Sequence, residues 1–134
     1  MNIFDKNDDT RIALALLLES EINGYGFALA CDFLKENCSH QYAKPDTHIK
    51  AIFKGLGLSS NKNTTKNEDI EIFRSVIEYS RSINEIPYEV DRLFWLIGSG
   101  DFYLCTELPE YNKNKKLASK EDFIKRVNNL IGLK

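Results

Sequence analysis

The chain has 134 residues and a formal net charge of −2, with 43% hydrophobic and 28% charged residues, a composition typical of globular proteins. This length predicts one domain with a core that needs no disulfide or metal support. The longest apolar run, residues 12–18, is too short to cross a bilayer, and the aspartate-rich leader before it does not fit a signal peptide. We therefore expect one domain, residues 1–134, that does not span a membrane.

The three cysteines, Cys31, Cys38 and Cys105, are odd in number and widely spaced. Neither a disulfide framework nor a zinc site is indicated by this spacing. We expect a reducing, cytoplasmic location and predict no metal and no cofactor.

Charge is unevenly distributed along the chain. A net charge of −2 counts against nucleic-acid binding, because phosphate contacts normally need a basic surface. Residues 47–67, however, contain four lysines and no acidic residue, and residues 111–134 contain seven basic and two acidic residues. A local basic surface and ordinary solvated surface charge both remain open.

The first half of the chain reads as three helices. Helical periodicity predicts helices over residues 10–21 and 27–36, with a tight turn at Gly24 and Gly26. Candidate N-caps of the first helix are Asp8, Asp9 and Thr10. After a loop over residues 37–45, Asp46 suits the N-cap of a third helix that ends near residues 55–57.

The second half begins with a polar linker over residues 59–67, followed by an amphipathic helix over residues 68–83. A further helix begins at Pro87, is expected to bury Val90, Leu93, Phe94 and Ile97, and stops at residues 98–100. Trp95 is expected in the core, with a stacking surface as the alternative. Residues 102–105 suit a short extended piece, residues 112–116 a basic loop, and Ser119 the cap of a last helix. Because no useful alternating pattern is present, the prediction is an all-α domain.

Two glycines one residue apart, at the entry to a helix, make Gly24-Tyr25-Gly26 a candidate anion site. Unpaired backbone N–H groups at a positive helix end attract anions, and glycine lets a phosphate oxygen come close. A nucleotide-binding fingerprint is excluded, since a helix precedes the turn and the third glycine is missing. A plain turn between two helices is the alternative.

Residues 22–58 resemble the helix-hairpin-helix base-excision DNA glycosylases, the superfamily that includes endonuclease III. Their hairpin reads Leu-Pro-Gly-Val-Gly, and a Val-Asp-Thr-His segment follows after a helix and a loop. Here the spacing from Gly26 to Asp46 agrees with the family's. The matching residues are Ile22, Gly24, Gly26 and Ala30 of the hairpin, Pro45-Asp46-Thr47-His48-Ile49 of the second motif and Gly55-Leu56-Gly57-Leu58 of its end, with Asn23 in place of proline. Residues 87–100 resemble, more loosely, a later helix of archaeal-type 8-oxoguanine glycosylase relatives.

The resemblance implies a monofunctional enzyme that hydrolyses the N-glycosidic bond of a damaged base flipped out of double-stranded DNA. Asp46 would be the catalytic carboxylate, which stabilises the oxocarbenium-like sugar or orients water. His48 would support it. The hairpin, with Gly24 and Gly26, would hold the DNA backbone. Tyr25 at the hairpin tip and Lys44 and Lys50 beside Asp46 are further candidate DNA contacts, with solvated lysines as the alternative.

Three departures from the family pattern bear on this function. Ala28 stands where bifunctional members have a Schiff-base lysine, and the cysteines of an iron–sulfur cluster are absent. Only about twenty residues precede Gly24. We therefore expect a helix-hairpin-helix domain shortened on its N-terminal side and resembling the C-terminal half of the family.

Several alternatives stay open. Asp46 suits a simple helix cap, and His48 a structural role in the first helical turn. In place of an enzyme, the chain could be a non-catalytic DNA-binding module, or a truncated relative whose cleft is completed by a partner chain or a second copy. A domain kept for protein interaction is a third hypothesis.

Overall fold

The structure is a computed structural model that describes residues 6–24, 26–59, 65–99 and 120–132, without the side chains of residues 65–67. These residues form six α-helices and no strand, which confirms the all-α prediction. The helices are α1 Asp8–Glu21, α2 Phe27–Asn37, α3 Thr47–Gly55, α4 Thr65–Ser82, α5 Pro87–Ser99 and α6 Lys120–Leu130. Four predictions lie outside the described residues: Tyr25, the extended piece at 102–105, the loop at 112–116 and the cap at Ser119.

The N-cap of α1 is Asn7, not one of the three residues predicted. Its side chain accepts from the Thr10 backbone N–H at 2.9 Å, and the Thr10 hydroxyl faces the Asn7 backbone N–H at 3.3 Å. This is a capping box that starts one residue before the predicted candidates. Asp8 and Asp9 lie instead in the first turn, where their charge complements the helix dipole.

Helix α4 lies between two hydrophobic clusters. It supplies Phe73 and Ile77 to a cluster with α1 and α2, and Ile72 and Val76 to a cluster with α3 and α5. Adjacent pairs on one helix point in different directions, so one amphipathic helix serves both cores. It begins at Thr65, three residues earlier than predicted.

The segment between α2 and α3 is also shared by the two cores. Tyr42 packs in the first cluster and Ala43 in the second, and both are fully buried. The segment is therefore fixed against both halves of the domain just before it reaches Asp46.

Helix α5 begins at Pro87 as predicted, but two of its side chains are not where the sequence analysis placed them. The buried stripe consists of Pro87, Val90, Asp91, Phe94 and Ile97. Leu93 and Trp95 are each 42% exposed, because each lies about 100° around the helix from Phe94. The prediction that both are core residues was wrong.

No helix within the described ranges is long and apolar enough to cross a membrane.

Candidate functional site

Asp46 is the N-cap of α3. Its backbone is extended, with φ −87° and ψ 177°, and its Oδ1 accepts the Ile49 backbone N–H at 2.9 Å. The capping role considered from the sequence is therefore present. Within the described residues the second oxygen, Oδ2, has no hydrogen-bond partner, so the cap occupies only half of the carboxylate.

Asp46 lines a pocket of about 260 Å³ between α2, the segment before α3, and α5. The lining combines both signs of charge with two aromatic rings. The acidic residues are Asp32, Glu36, Asp46 and Asp91, the basic residues are Lys35, Lys44 and Arg92, and the aromatic residues are Tyr88 and Trp95.

The second carboxylate of interest in this pocket is Asp91, which is only 2% exposed. Its Oδ2 accepts the backbone N–H of Lys44, and its Oδ1 lies 3.3 Å from the Lys35 ammonium. The pKa of Asp91 is raised to about 6, mainly by burial and also by the nearby charge of Asp46, while the Lys44 N–H and Lys35 act to lower it. Asp91 is thus a buried acid that titrates close to neutral pH.

Lys35 is the cation at the centre of this arrangement. Its ammonium lies 3.3 Å from Asp91, 3.5 Å from Asp32 and 3.4 Å from Glu36, and 5.7 Å from the centre of the Tyr88 ring. Burial acts to lower the pKa of Lys35, but the surrounding carboxylates raise it above its ordinary value. This amine is therefore held in its protonated form.

The turn between α1 and α2 has the backbone expected of a glycine hairpin. Gly24 has φ +87°, a left-handed conformation that side chains disfavour, and Gly26 is the N-cap of α2. Among the described residues no side chain caps this helix end, and a Cβ at either glycine would meet none of their atoms within 4 Å. The first backbone N–H groups of α2 are consequently open to an anion.

The hairpin and the pocket are at different places along α2. Gly26 caps its start, whereas Asp32 and Glu36 of the pocket lie six and ten residues further on, about 9 to 15 Å along the axis at 1.5 Å per residue. That separation corresponds to roughly three to four nucleotides of one DNA strand at 3.4 Å each. Ala28 lies one turn before Asp32 on the same face of α2.

The two predicted lysine contacts differ in their surroundings. Lys44 lines the pocket and its ammonium is 4.0 Å from Asp32. Lys50 instead points to α4, where it pairs with Asp69 and lies 3.9 Å from Glu68. Its neighbour Lys54 bonds the same Glu68 at 2.8 Å. Much of the charge on the lysine-rich segment is therefore neutralised by α4.

His48 packs against two other helices. Its ring meets Trp95 edge-on, with 6.5 Å between centroids, and its Nδ1 is 3.5 Å from the Lys120 ammonium. A Cβ added at Gly98 would overlap the His48 Cβ, so Gly98 lets α5 approach α3. Gly98 is thus a helical packing residue, one position before the end of α5, where the sequence analysis predicted a helix stop.

Three functional candidates were missed from the sequence: Lys35, Asp91 and Trp95. A signal for Asp91 was present, since it lies on the apolar stripe of α5 between Val90 and Phe94. A charged residue at a core position is seldom buried unless it is paired. Lys35 gave no comparable signal, because lysine is common on helix surfaces, and Trp95 was expected in the core, where tryptophan is usually found.

Comparison with protein-family models, with curated proteins and with solved structures finds no match to this chain. Within the described ranges, no group of three or more His, Cys, Asp or Glu side chains is placed to hold a metal ion.

Proposed function

We propose that this protein is a monofunctional DNA glycosylase-like enzyme in which Asp46 promotes hydrolysis of the N-glycosidic bond of a damaged base. The observation that supports it most directly is that the two oxygens of the Asp46 carboxylate have different surroundings. One oxygen caps α3 and the other is left for a ligand in a pocket with two aromatic rings.

The chemistry requires an anion beside the sugar. As the base departs, positive charge develops at the sugar, and a fixed carboxylate stabilises it more strongly in a partly buried site than in water. Asp46 is half-buried and its orientation is fixed by the cap, so little reorganisation is needed during the reaction. Water would then complete the hydrolysis.

A lysine nucleophile has no support at this site. Ala28 lacks the amine, and Lys35, which lines the pocket, is surrounded by carboxylates that raise its pKa. A protonated amine cannot attack the sugar to form a Schiff base. We therefore expect excision to leave an abasic site with an intact strand.

DNA would be held by the hairpin. The N–H groups at the start of α2 are uncapped, and the open space at Gly24 and Gly26 lets a phosphate approach the backbone. Lys44 would add a charge at the pocket mouth, whereas Lys50 is engaged with α4. Tyr25 keeps the contact role that the resemblance implies.

A second candidate is a non-catalytic DNA-binding module. It is favoured by the pairing of Lys50 and Lys54 with acidic residues of α4, which leaves little unpaired positive charge on α3, while the glycine hairpin offers open space for a phosphate. In this form a partner chain or a second copy would complete the cleft. Light scattering with and without a DNA duplex would detect such an assembly.

In the deciding experiment the protein is incubated with DNA duplexes that contain 8-oxoguanine, uracil or an alkylated base, and the abasic sites that form are measured. Asp46→Asn is compared with Glu78→Gln, a matched loss of one charge at an exposed position of α4. We expect at least one lesion to be excised, with a loss on the order of 100-fold in Asp46→Asn and none in Glu78→Gln. Unchanged excision in Asp46→Asn would refute the catalytic assignment.

The same samples test the alternative. Salt-sensitive binding to duplex DNA without excision of any lesion would favour the module. That binding should weaken on Gly26→Val, which places a branched side chain where the phosphate would approach. Absence of both binding and excision would refute both DNA hypotheses.

A further inference from the structure

A second depression, the α5 groove, lies along the first half of α5. It has a volume of about 420 Å³ and is lined by Ile83, Glu85, Glu89, Val90 and Leu93. The pocket of Asp46 uses other positions of α5, namely Tyr88, Asp91, Arg92 and Trp95. Because each residue turns a helix by about 100°, these two sets of side chains point to different sides of α5. A molecule in the α5 groove therefore leaves the pocket of Asp46 open.

The α5 groove has an apolar lining that is open among the described residues. Val90 is buried, whereas Ile83 and Leu93 are 45% and 42% exposed. Ile86, two turns before Leu93 on α5, extends the apolar surface along the same face of the helix. Single exposed apolar residues are ordinary, but neighbouring ones that share one depression are typical of a contact surface. Leu93, which the sequence pattern placed in the core, is thus a candidate for burial in an assembly.

Two carboxylates border the α5 groove and give it a negative rim. Glu85 and Glu89 are exposed, and neither forms an ion pair with another described residue. An apolar centre with a charged rim is the usual composition of a protein contact surface, and the sign of the rim selects a partner of opposite charge. The groove therefore fits an apolar segment that carries positive charge.

The end of α6 has this complementary chemistry. Leu130 and Ile131 are 85% and 60% exposed, more than any other large apolar side chain within the described ranges. Arg126 lies one turn before Leu130, is exposed, and forms no ion pair with a described residue. On α5, Glu89 lies in the same way one turn before Leu93. Each helix thus presents a charge and an apolar side chain four residues apart, and the two charges are opposite.

Within one chain, α6 packs elsewhere on the domain. Lys120 at its start approaches His48, which lies against Gly98 near the end of α5. Further along, the Asn128 side chain donates to the Gly55 carbonyl at the end of α3, at 3.1 Å. None of the residues that line the α5 groove comes from α6. The last turn of α6 is therefore available to the groove of another copy.

We propose that the α5 groove binds the end of α6 of a second copy, and that two copies exchange these contacts reciprocally. Leu130 of each copy lies over Val90 of the other, and Arg126 pairs with Glu89. Reciprocal exchange uses the same two surfaces twice, as a two-fold symmetric dimer requires. Because each contact is small, we expect a weak dimer with a dissociation constant on the order of 100 μM.

Sedimentation velocity of the full chain without DNA, over protein concentrations from about 10 μM to about 1 mM, measures this association. Leu93→Asp should weaken it about tenfold or more, because a carboxylate would enter an apolar groove that already has an acidic rim. Leu29→Asp is the matched control, since Leu29 of α2 is also 42% exposed but does not line the groove. That variant should associate as wild type does.

Two charge reversals test which surfaces meet. Glu89→Arg and Arg126→Glu should each weaken self-association, because like charges then face each other at both contacts of the dimer. An equal mixture of the two variants should associate as wild type does. In the mixed dimer one contact has the original pair of charges and the other has both charges reversed, so opposite charges meet at each.

Three results would overturn the proposal: a protein that stays monomeric over the whole concentration range, association that Leu93→Asp leaves unchanged, or a mixture of the reversed variants that associates no better than either alone. Should Leu93→Asp fail to fold by circular dichroism, the mixture decides. Dimers that form only on a DNA duplex would also count against the groove, since they would indicate two copies that complete a cleft. Excision does not enter the test, so the outcome is independent of the proposed function.

Discussion

The carboxylate of Asp91 and the backbone N–H of Lys44 are hydrogen-bonded across 47 residues of sequence, two residues before Asp46. This bond ties α5 to the segment that presents the candidate catalytic carboxylate. The nearby charge of Asp46 in turn contributes to the raised pKa of Asp91. The pocket is thus organised by a pair of acids of which the sequence analysis identified one.

The first prediction concerns stability and pH. The folded-state pKa of Asp91, about 6, lies above its ordinary value of 3.8, so folded protein holds this proton more tightly than unfolded chain. The stabilisation that Asp91 provides is therefore complete below about pH 4 and is lost as the pH rises through about 6. Asp91→Asn cannot titrate at this position. As the pH rises from 4.5 to 7.5, its free energy of unfolding should therefore increase by about 2 kcal/mol relative to that of wild type.

Urea unfolding of wild type and variant at the two pH values gives their free energies of unfolding, and the gap between the two proteins should change by this amount. Asp32→Asn is the control, because Asp32 also contacts Lys35 but is not buried. An Asp91→Asn curve parallel to wild type across the whole range would contradict the assignment of the raised pKa to Asp91.

The second prediction separates the two roles of Asp46. Asparagine caps helices about as well as aspartate, whereas alanine costs about 1 kcal/mol at an N-cap. Asp46→Asn should therefore leave the free energy of unfolding nearly unchanged and Asp46→Ala should lower it by about 1 kcal/mol, while both reduce excision on the order of 100-fold. If the excision rate of each variant fell only as far as its free energy of unfolding did, the helix-capping role alone would explain why Asp46 is needed.

The sequence predicted local structure well where local rules decide it. The α3 cap at Asp46, the start of α5 at Pro87 and the glycine turn at residues 24–26 each follow from the chemistry of one or two residues. The sequence predicted less where residues that are distant in sequence but close in space determine the surroundings of a side chain. Lys50 looked like a free basic residue, but α4 brings Asp69 and Glu68 to it.

The pocket was harder to predict for the same reason. It forms where α2, α5 and the segment before α3 meet, and no periodicity in one helix shows which of its polar residues face another. The exposure of Trp95 depends on a rotation of only about 100° from Phe94, which hydrophobicity alone does not fix.

The third prediction uses Gly26 to separate helix capping from DNA binding. Gly26 caps α2 without a side chain, and a Cβ there would meet nothing within 4 Å. Gly26→Ser should stabilise the fold by about 0.5 to 1 kcal/mol, because its hydroxyl can accept an N–H of α2 and the unfolded chain is less flexible. The same hydroxyl competes with a phosphate, so DNA affinity should fall as stability rises.

Gly24→Ala is the matched control at the other glycine. With φ +87°, alanine there should cost about 1 kcal/mol of stability through backbone strain. Parallel measurements of duplex binding by fluorescence anisotropy and of urea unfolding test both variants. Tighter binding by Gly26→Ser would contradict a phosphate site at the start of α2.

The last prediction concerns the contact between α5 and α3. Gly98→Ala would push its Cβ into the Cβ of His48, a backbone-proximal atom that cannot move away without shifting α3. We expect a loss of about 1 to 3 kcal/mol, typical of overpacking, and reduced excision, because His48 is two residues from Asp46. Gly55→Ala should cost less, since its Cβ would meet Cδ1, Cγ2 and Cγ1 of the half-buried Ile124 side chain rather than a Cβ atom.

A double-mutant cycle tests the cause. In a His48→Gly background the obstructing Cβ is absent, so Gly98→Ala should cost less than in wild type, with a coupling energy of about 1 kcal/mol or more. Additive losses would mean that Gly98 is needed for another reason. A restored excision rate in the double variant, relative to Gly98→Ala alone, would show that close packing of α5 on α3 keeps Asp46 at the pocket.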